Sequence, residues 1–158
     1  MTLALATLED AIRSIIDRDF DDFDGFPGSD EEVGERWTEA IRVYFAEMVS
    51  PPFLPEHHET AAAEMRTAMV GAGVPPVGDA PAPGPTIVPT AITLYASTLA
   101  PLASLVGFAA TPPPLPAPFV PAGGPSHAVA TALATALDAW ARTGLQAPLP
   151  ASPSSPWA

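Results

Sequence analysis

The sequence predicts an all-α protein, a small bundle of about five helices carrying extended proline-rich arms. Three observations lead there. Apolar residues recur at spacings of three and four over several stretches, which is the period of a helix with one buried face. Proline accounts for 22 of 158 residues, against a usual ~5%, and it gathers between those stretches. Charge is divided: every Asp and Glu except Asp138 lies between Glu9 and Asp79, and no residue from Ala80 through Leu137 carries a fixed charge.

The first helix is short. Thr7, with Asp10 three residues on, reads as a capping box, and Leu8, Ile12, Ile15 and Ile16 follow as one apolar face. An acidic loop runs from Asp17 to Gly28, marked by its Gly and Pro, with Phe20, Phe23 and Phe26 as surface anchors. Helix two has the clearest start. Ser29 and Glu32 form a capping box, acids crowd the first turn, and Val33, Trp37, Ile41, Tyr44 and Met48 make a stripe that stops before Pro51-Pro52. Helix three starts near Pro55, presents Ala61, Ala62, Met65, Ala68 and Met69, and ends at Gly73.

Residues 74–85 read as a stiff Pro/Gly/Ala linker. Helix four is expected over roughly 86–108. That stretch is uncharged and long enough to span a bilayer. However, Thr90, Thr93, Ser97 and Ser104 form one stripe and Ile92, Tyr95, Leu99, Leu102 and Val106 another, with Pro89 and Pro101 interrupting, so a soluble bundle helix is expected instead. Residues 111–125 read as a polyproline II arm. Helix five follows, capped by Ser126, with Val129, Leu133, Leu137 and Trp140 as its stripe and Gly144 as its stop. The tail, 145–158, has no periodicity; alone it is expected to be disordered, and to gain protease protection only in an assembly.

The domain plan is therefore a short helix with an acidic loop (1–28), a bundle (29–144) and an extended tail (145–158). Placing His58 over His127 aligns Ala61 with Ala130 and Ala63 with Ala132, an echo that suggests two helical hairpins.

Net charge is −12, which disfavours nucleic acid and anionic membranes as partners. The absence of Cys removes disulfide and thiol chemistry. The N-terminal MTLALATLEDAIRS lacks the basic segment and the long apolar run of a signal peptide. No Ser stands in a nucleophile elbow, no glycine loop is built for phosphate, and no enzymatic activity is expected. With Gly25 at the sixth position of an EF-hand loop, Asp22, Asp24 and Glu31 fall at three, five and twelve; the first position is Phe20, so calcium is a weak candidate and no other cofactor is expected. Glu56-His57-His58-Glu59 resembles a metal cluster, but the position four after His58 is Ala62, so a polar first turn of helix three is the simpler reading. Pro113-Pro114-Leu115-Pro116 is a P-x-x-P without the flanking Arg or Lys that SH3-like grooves exploit. Asp138 and Arg142 are spaced as a helix ion pair, open to either a surface or an interface role.

Val106-Gly107-Phe108, Pro112-Pro113-Pro114, Ser126-His127-Ala128 and Leu137-Asp138-Ala139-Trp140-Ala141-Arg142-Thr143-Gly144 resemble small Ala/Pro-rich structural proteins of tailed bacteriophages and phage-like contractile particles. The resemblance covers about two-thirds of the chain and leaves residues 1–28 unmatched. It implies a non-enzymatic virion component of the tail or baseplate, assembled in the host cytoplasm in multiple copies beside other structural proteins. Phe108, Phe119, Asp138, Arg142 and Trp157 are then the interface candidates, with the arms bridging neighbours. The alternative is a calcium-responsive or secreted Ala/Pro-rich binding module outside a virion.

Overall fold

The computed structural model describes residues 3–47, 53–71, 87–114, 124–149 and 153–157. The linker expected at 74–85, most of the arm after Pro114, Met48 and Phe119 lie outside the described residues. The described chain is mostly helical, as expected, with one small sheet.

Helix α1 spans Leu5–Ile16 and buries Leu8, Ile12 and Ile15. The expected capping box is absent. Ala4 is the N-cap, and the Thr7 hydroxyl instead donates to Glu47 Oε1 at 3.3 Å, a contact forty residues away. Helix α2 spans Asp30–Ala46 and starts as its sequence requires. Ser29 Oγ accepts the Glu32 amide at 3.2 Å, and the Glu32 carboxylate reaches one residue further back than in a standard box, to the Gly28 amide at 2.7 Å. Val33, Trp37, Ile41 and Tyr44 are buried along it.

Helix α3 spans Pro55–Gly71. The Leu54 amide donates to His57 Nδ1 at 3.2 Å while the His57 amide donates to the Leu54 carbonyl at 2.9 Å. That reciprocal clasp satisfies two groups at the helix entry, which explains why His57 is buried and not a solvated first-turn residue.

Helix α4, Ile87–Leu102, is shorter than expected. After Pro101 the chain tightens into a 3₁₀ turn, Ala103–Val106, and Gly107 closes it at φ 86°, a left-handed conformation that a side chain would strain. Of the expected stripe, Ile92, Tyr95 and Leu99 are buried. Leu102, the last residue of α4, is half-buried, and Val106 is exposed because three residues per turn rotates it off the buried line. Helix α5 is Ser126–Ala141; Pro125 holds the N-cap position, so Ser126 is the first helical residue and caps nothing.

The helices pack in the order α4, α3, α2, α1, α5. The α2–α3 hairpin forms. α4 lies against α3, whereas α5 lies against α1, so the second pair are not direct neighbours. One core runs through the whole.

The second half departs most from expectation. Phe108–Thr111 forms strand β1, Leu145–Pro148 forms β2 and Ser155–Pro156 forms β3. They make an antiparallel sheet in the order β1-β2-β3, with Ala109 opposite Ala147 and Gln146 opposite Ser155. The tail that was expected to be disordered alone is thus ordered over 145–149 and 153–157 by the chain itself.

Trp157 holds it there. Its side chain is 0% exposed, its ring lies edge-on to Phe53 at 5.4 Å and to Phe45 at 6.3 Å, and Nε1 donates to the Leu145 carbonyl at 2.9 Å. Gly144 admits the ring: a Cβ there would sit 2.5 Å from Trp157 Cδ2. Gly144, expected to stop α5, lies two residues past its C-cap, Arg142, and is instead the floor under this indole.

Candidate functional site

Among the described residues, two buried polar centres tie separate helices together. In the first, the Tyr44 hydroxyl donates to Asp138 Oδ1 at 2.7 Å, and Arg142 closes on the same carboxylate with Nε to Oδ2 at 2.7 Å and Nη2 to Oδ1 at 2.9 Å. Arg142 also donates to the Leu3 carbonyl at 2.8 Å. Three parts of the chain, the N-terminal segment, α2 and α5, are thereby tied at one point. Asp138 and Arg142, offered as interface residues, form an internal clamp, with Asp138 buried and Arg142 partly open.

Burial alone would raise the Asp138 carboxyl. Hydrogen bonds from Arg142 and Tyr44, with the guanidinium charge, outweigh it and hold the group below the usual carboxylate range. Burial and the Asp138 hydrogen bond push the Tyr44 phenol upward, so it stays a donor. The unfolded carboxyl takes its proton at a higher pH than the folded one. The stabilisation is therefore present above the ordinary carboxylate range and is lost as pH falls through the lowered folded value. Asp138→Ala leaves the Tyr44 hydroxyl buried without its acceptor. The expected loss is about 1–3 kcal/mol in urea unfolding at neutral pH. A double-mutant cycle with Tyr44→Phe is expected to be non-additive, and strict additivity contradicts the clamp.

The second centre joins α3 to α4. His58 Nδ1 lies 2.8 Å from Tyr95 Oη, and both side chains are buried. Phe45 stacks on Tyr95 at 5.2 Å and Phe53 approaches the imidazole at 6.2 Å. Burial first, then the neighbouring His57 and Arg42 charges, pull His58 down from its ordinary 6.5 to about 4. Burial raises Tyr95. At neutral pH both partners are uncharged and share one hydrogen bond. Sequence spacing suggested a polar helix surface here; the missed signal is Tyr95, whose hydroxyl gives a buried imidazole a partner.

The calcium candidates do not converge. Asp22, Asp24 and Glu31 are exposed, and among the described residues no three His, Cys, Asp or Glu side chains could share a metal. The loop already binds a cation of its own. Arg36 donates to the Gly25 carbonyl at 2.5 Å, the Asp24 carbonyl at 3.2 Å and Glu32 Oε1 at 2.5 Å. His127 is exposed on the first turn of α5. Among the described residues no helix is long and apolar enough to cross a membrane.

The sheet is the remaining surface of note. Its inner face turns Phe108, Ala110, Gln146 and Trp157 toward the helices. Its outer face carries Ala109, Thr111, Leu145, Ala147 and Pro156, all uncharged, with Leu145 41% exposed. Beside the Gly107 turn, Leu105 is 73% exposed and Leu149 54%. Phe108, an interface candidate, is half-buried against the chain's own core, and Trp157, another, is wholly enclosed. Around the sheet the exposed large apolar side chains are aliphatic, Leu105, Val106, Leu145 and Leu149, and none of them is among the interface candidates.

No protein-family model matches the chain, and neither a curated protein nor a solved structure does.

Proposed function

We propose that the chain is a non-enzymatic structural subunit of a tailed-phage or phage-like particle, acting in the tail or baseplate beside other structural proteins. The observation that carries this reading is the spatial division of charge. Among the described residues the exposed acids sit on α1, the following loop, α2 and α3, while the sheet beyond α4 presents an uncharged face bordered at its Gly107 end by exposed Leu105, Val106 and Leu149. Scattered surface leucines need no explanation, but several around one uncharged sheet suit a contact surface. A subunit with one face turned to solvent and another lying on neighbours has that distribution.

Some of the residues that carry the phage resemblance shape this sheet, and others hold the helices beneath it. Val106-Gly107-Phe108 turns the chain into β1, and Leu137 to Gly144 holds the Asp138 clamp and the floor under Trp157. The proline-rich segments bridging neighbours belong to the same proposal, since preformed polyproline II lowers the entropy lost on docking. Quantitative mass spectrometry of particles purified from a producing lysate tests it. The chain is expected in them at a fixed copy number relative to the other structural proteins. Recovery solely outside the particle fraction overturns the reading.

A further inference from the structure

We propose that the outer edge of β1 is the two-fold contact of a homodimer, in which Phe108–Thr111 pairs antiparallel with the same strand of a second copy. The inference stands on the sheet alone and holds whether or not the chain belongs to a particle.

The register decides which backbone groups are available. The Leu149 amide donates to the Gly107 carbonyl at 2.8 Å, and Phe108 lies opposite Pro148. In an antiparallel ladder hydrogen-bonded and non-bonded pairs alternate. Ala109 and Thr111 therefore bond to β2, while the amides and carbonyls of Phe108 and Ala110 point away from it. Among the described residues these groups have no partner. The opposite edge is guarded. Trp157 donates its amide to the Gly144 carbonyl at 3.0 Å, which turns the outward position of β3 onto Pro156, a residue with no N–H to offer. One edge of this sheet is thus closed by proline and the other left open, without Lys, Pro or a bulge within β1 to blunt it.

A second copy fits that edge because the edge is self-complementary. With Ala109 on the two-fold axis opposite its own copy, Phe108 pairs with the other copy's Ala110 and Ala110 with its Phe108. All the outward amides and carbonyls of both residues are then satisfied. The axial pair is non-hydrogen-bonded, where side chains come closest, and alanine methyls fit it. Charge points the same way. Two chains of net charge −12 repel each other, and β1 offers an uncharged strand on which they can meet. A strand of four residues makes a small contact, so the dimer is expected to be weak, submillimolar to micromolar.

Sedimentation velocity of the full chain over a concentration series tests the pairing. The wild type is expected to dimerise as concentration rises. Ala109→Asp places like charges face to face on the axis and is expected to weaken the dimer by about tenfold or more. Because Ala109 is exposed, far-ultraviolet circular dichroism of the variant is expected to match the wild type. Mixing Ala109→Asp with Ala109→Lys is expected to restore dimers by opposing charges across the axis. A wild type that stays monomeric throughout the series overturns the proposal, as does a dimer whose stability Ala109→Asp leaves unchanged. A failure of the mixture to recover dimers removes the axis from Ala109 and overturns the register.

Discussion

Trp157→Ala is expected to destabilise the fold by about 3–5 kcal/mol, the range for removing a large buried aromatic. For a domain whose total stability lies at roughly 5–15 kcal/mol, that is a large fraction from the penultimate residue of the chain. The loss has several parts. The ring leaves Phe45 and Phe53, and the Leu145 carbonyl loses its donor. The short β3 strand loses the anchor that holds it. Urea unfolding followed by far-ultraviolet circular dichroism measures the change in midpoint. Gly144→Ala attacks the same contact from below, because its Cβ would lie 2.5 Å from the indole; it is expected to cost about 1–3 kcal/mol by overpacking. Wild-type stability in both variants would mean that the indole is not enclosed.

The second large effect is a loss of stability in mild acid, set by His58. Its folded value, about 4, lies below the ordinary 6.5 of an unfolded histidine. Between those values the unfolded chain holds a proton that the folded chain does not, so stability falls as pH is lowered through the window and levels off beneath it. The shift corresponds to about 3 kcal/mol. The charged groups that act on the imidazole are His57 beside it and Arg42 on α2, while Glu39 and Glu59 act on its partner Tyr95. His58→Gln can keep a hydrogen bond to Tyr95 but cannot titrate. In urea titrations from neutral pH down to about 4, its stability is expected to fall less steeply than that of the wild type. Equal slopes would contradict the buried neutral imidazole. The Asp138 clamp fails only at lower pH, because its carboxyl is held below the ordinary carboxylate range.

How much of this was legible follows from the reach of each signal. The start of α2 could be read because Ser29, Glu32 and the acidic first turn act within one turn of backbone. The buried faces of α1 and α2 could be read because helical spacing is local. The Thr7 box failed because a distant carboxylate, Glu47, claimed the hydroxyl. The end of α4 was misplaced because the three-residue turn after Pro101 keeps apolar residues coming while rotating them out of line. The strands were invisible for another reason. β1 and β2 have four residues each and β3 two, too few for alternation to register, and their pairing joins residues 108–111 to 145–148 across the whole of α5.

The site followed the same pattern. Asp138 and Arg142 were legible as a pair because they lie four apart on one helix; that Tyr44 completes the clamp depends on how α2 meets α5. Trp157 was legible as an aromatic anchor. Its socket, made by Phe45, Phe53 and Gly144, exists only once the chain has folded, so the residue could not be told from an anchor seeking a neighbour. Ala109 and Ala110 gave no signal, since their part is played by backbone and by small size.

Amide hydrogen exchange on the isolated chain tests the central claim, that the last segment closes the chain's own core and leaves β1 as the open edge. The Trp157, Leu149, Ala109 and Thr111 amides are expected to exchange slowly, in step with the amides of α2 and α5, while Phe108 and Ala110 exchange fast at concentrations too low for dimers. Trp157 and Leu149 amides exchanging at the rate of an unfolded peptide, with the helices still protected, would contradict it.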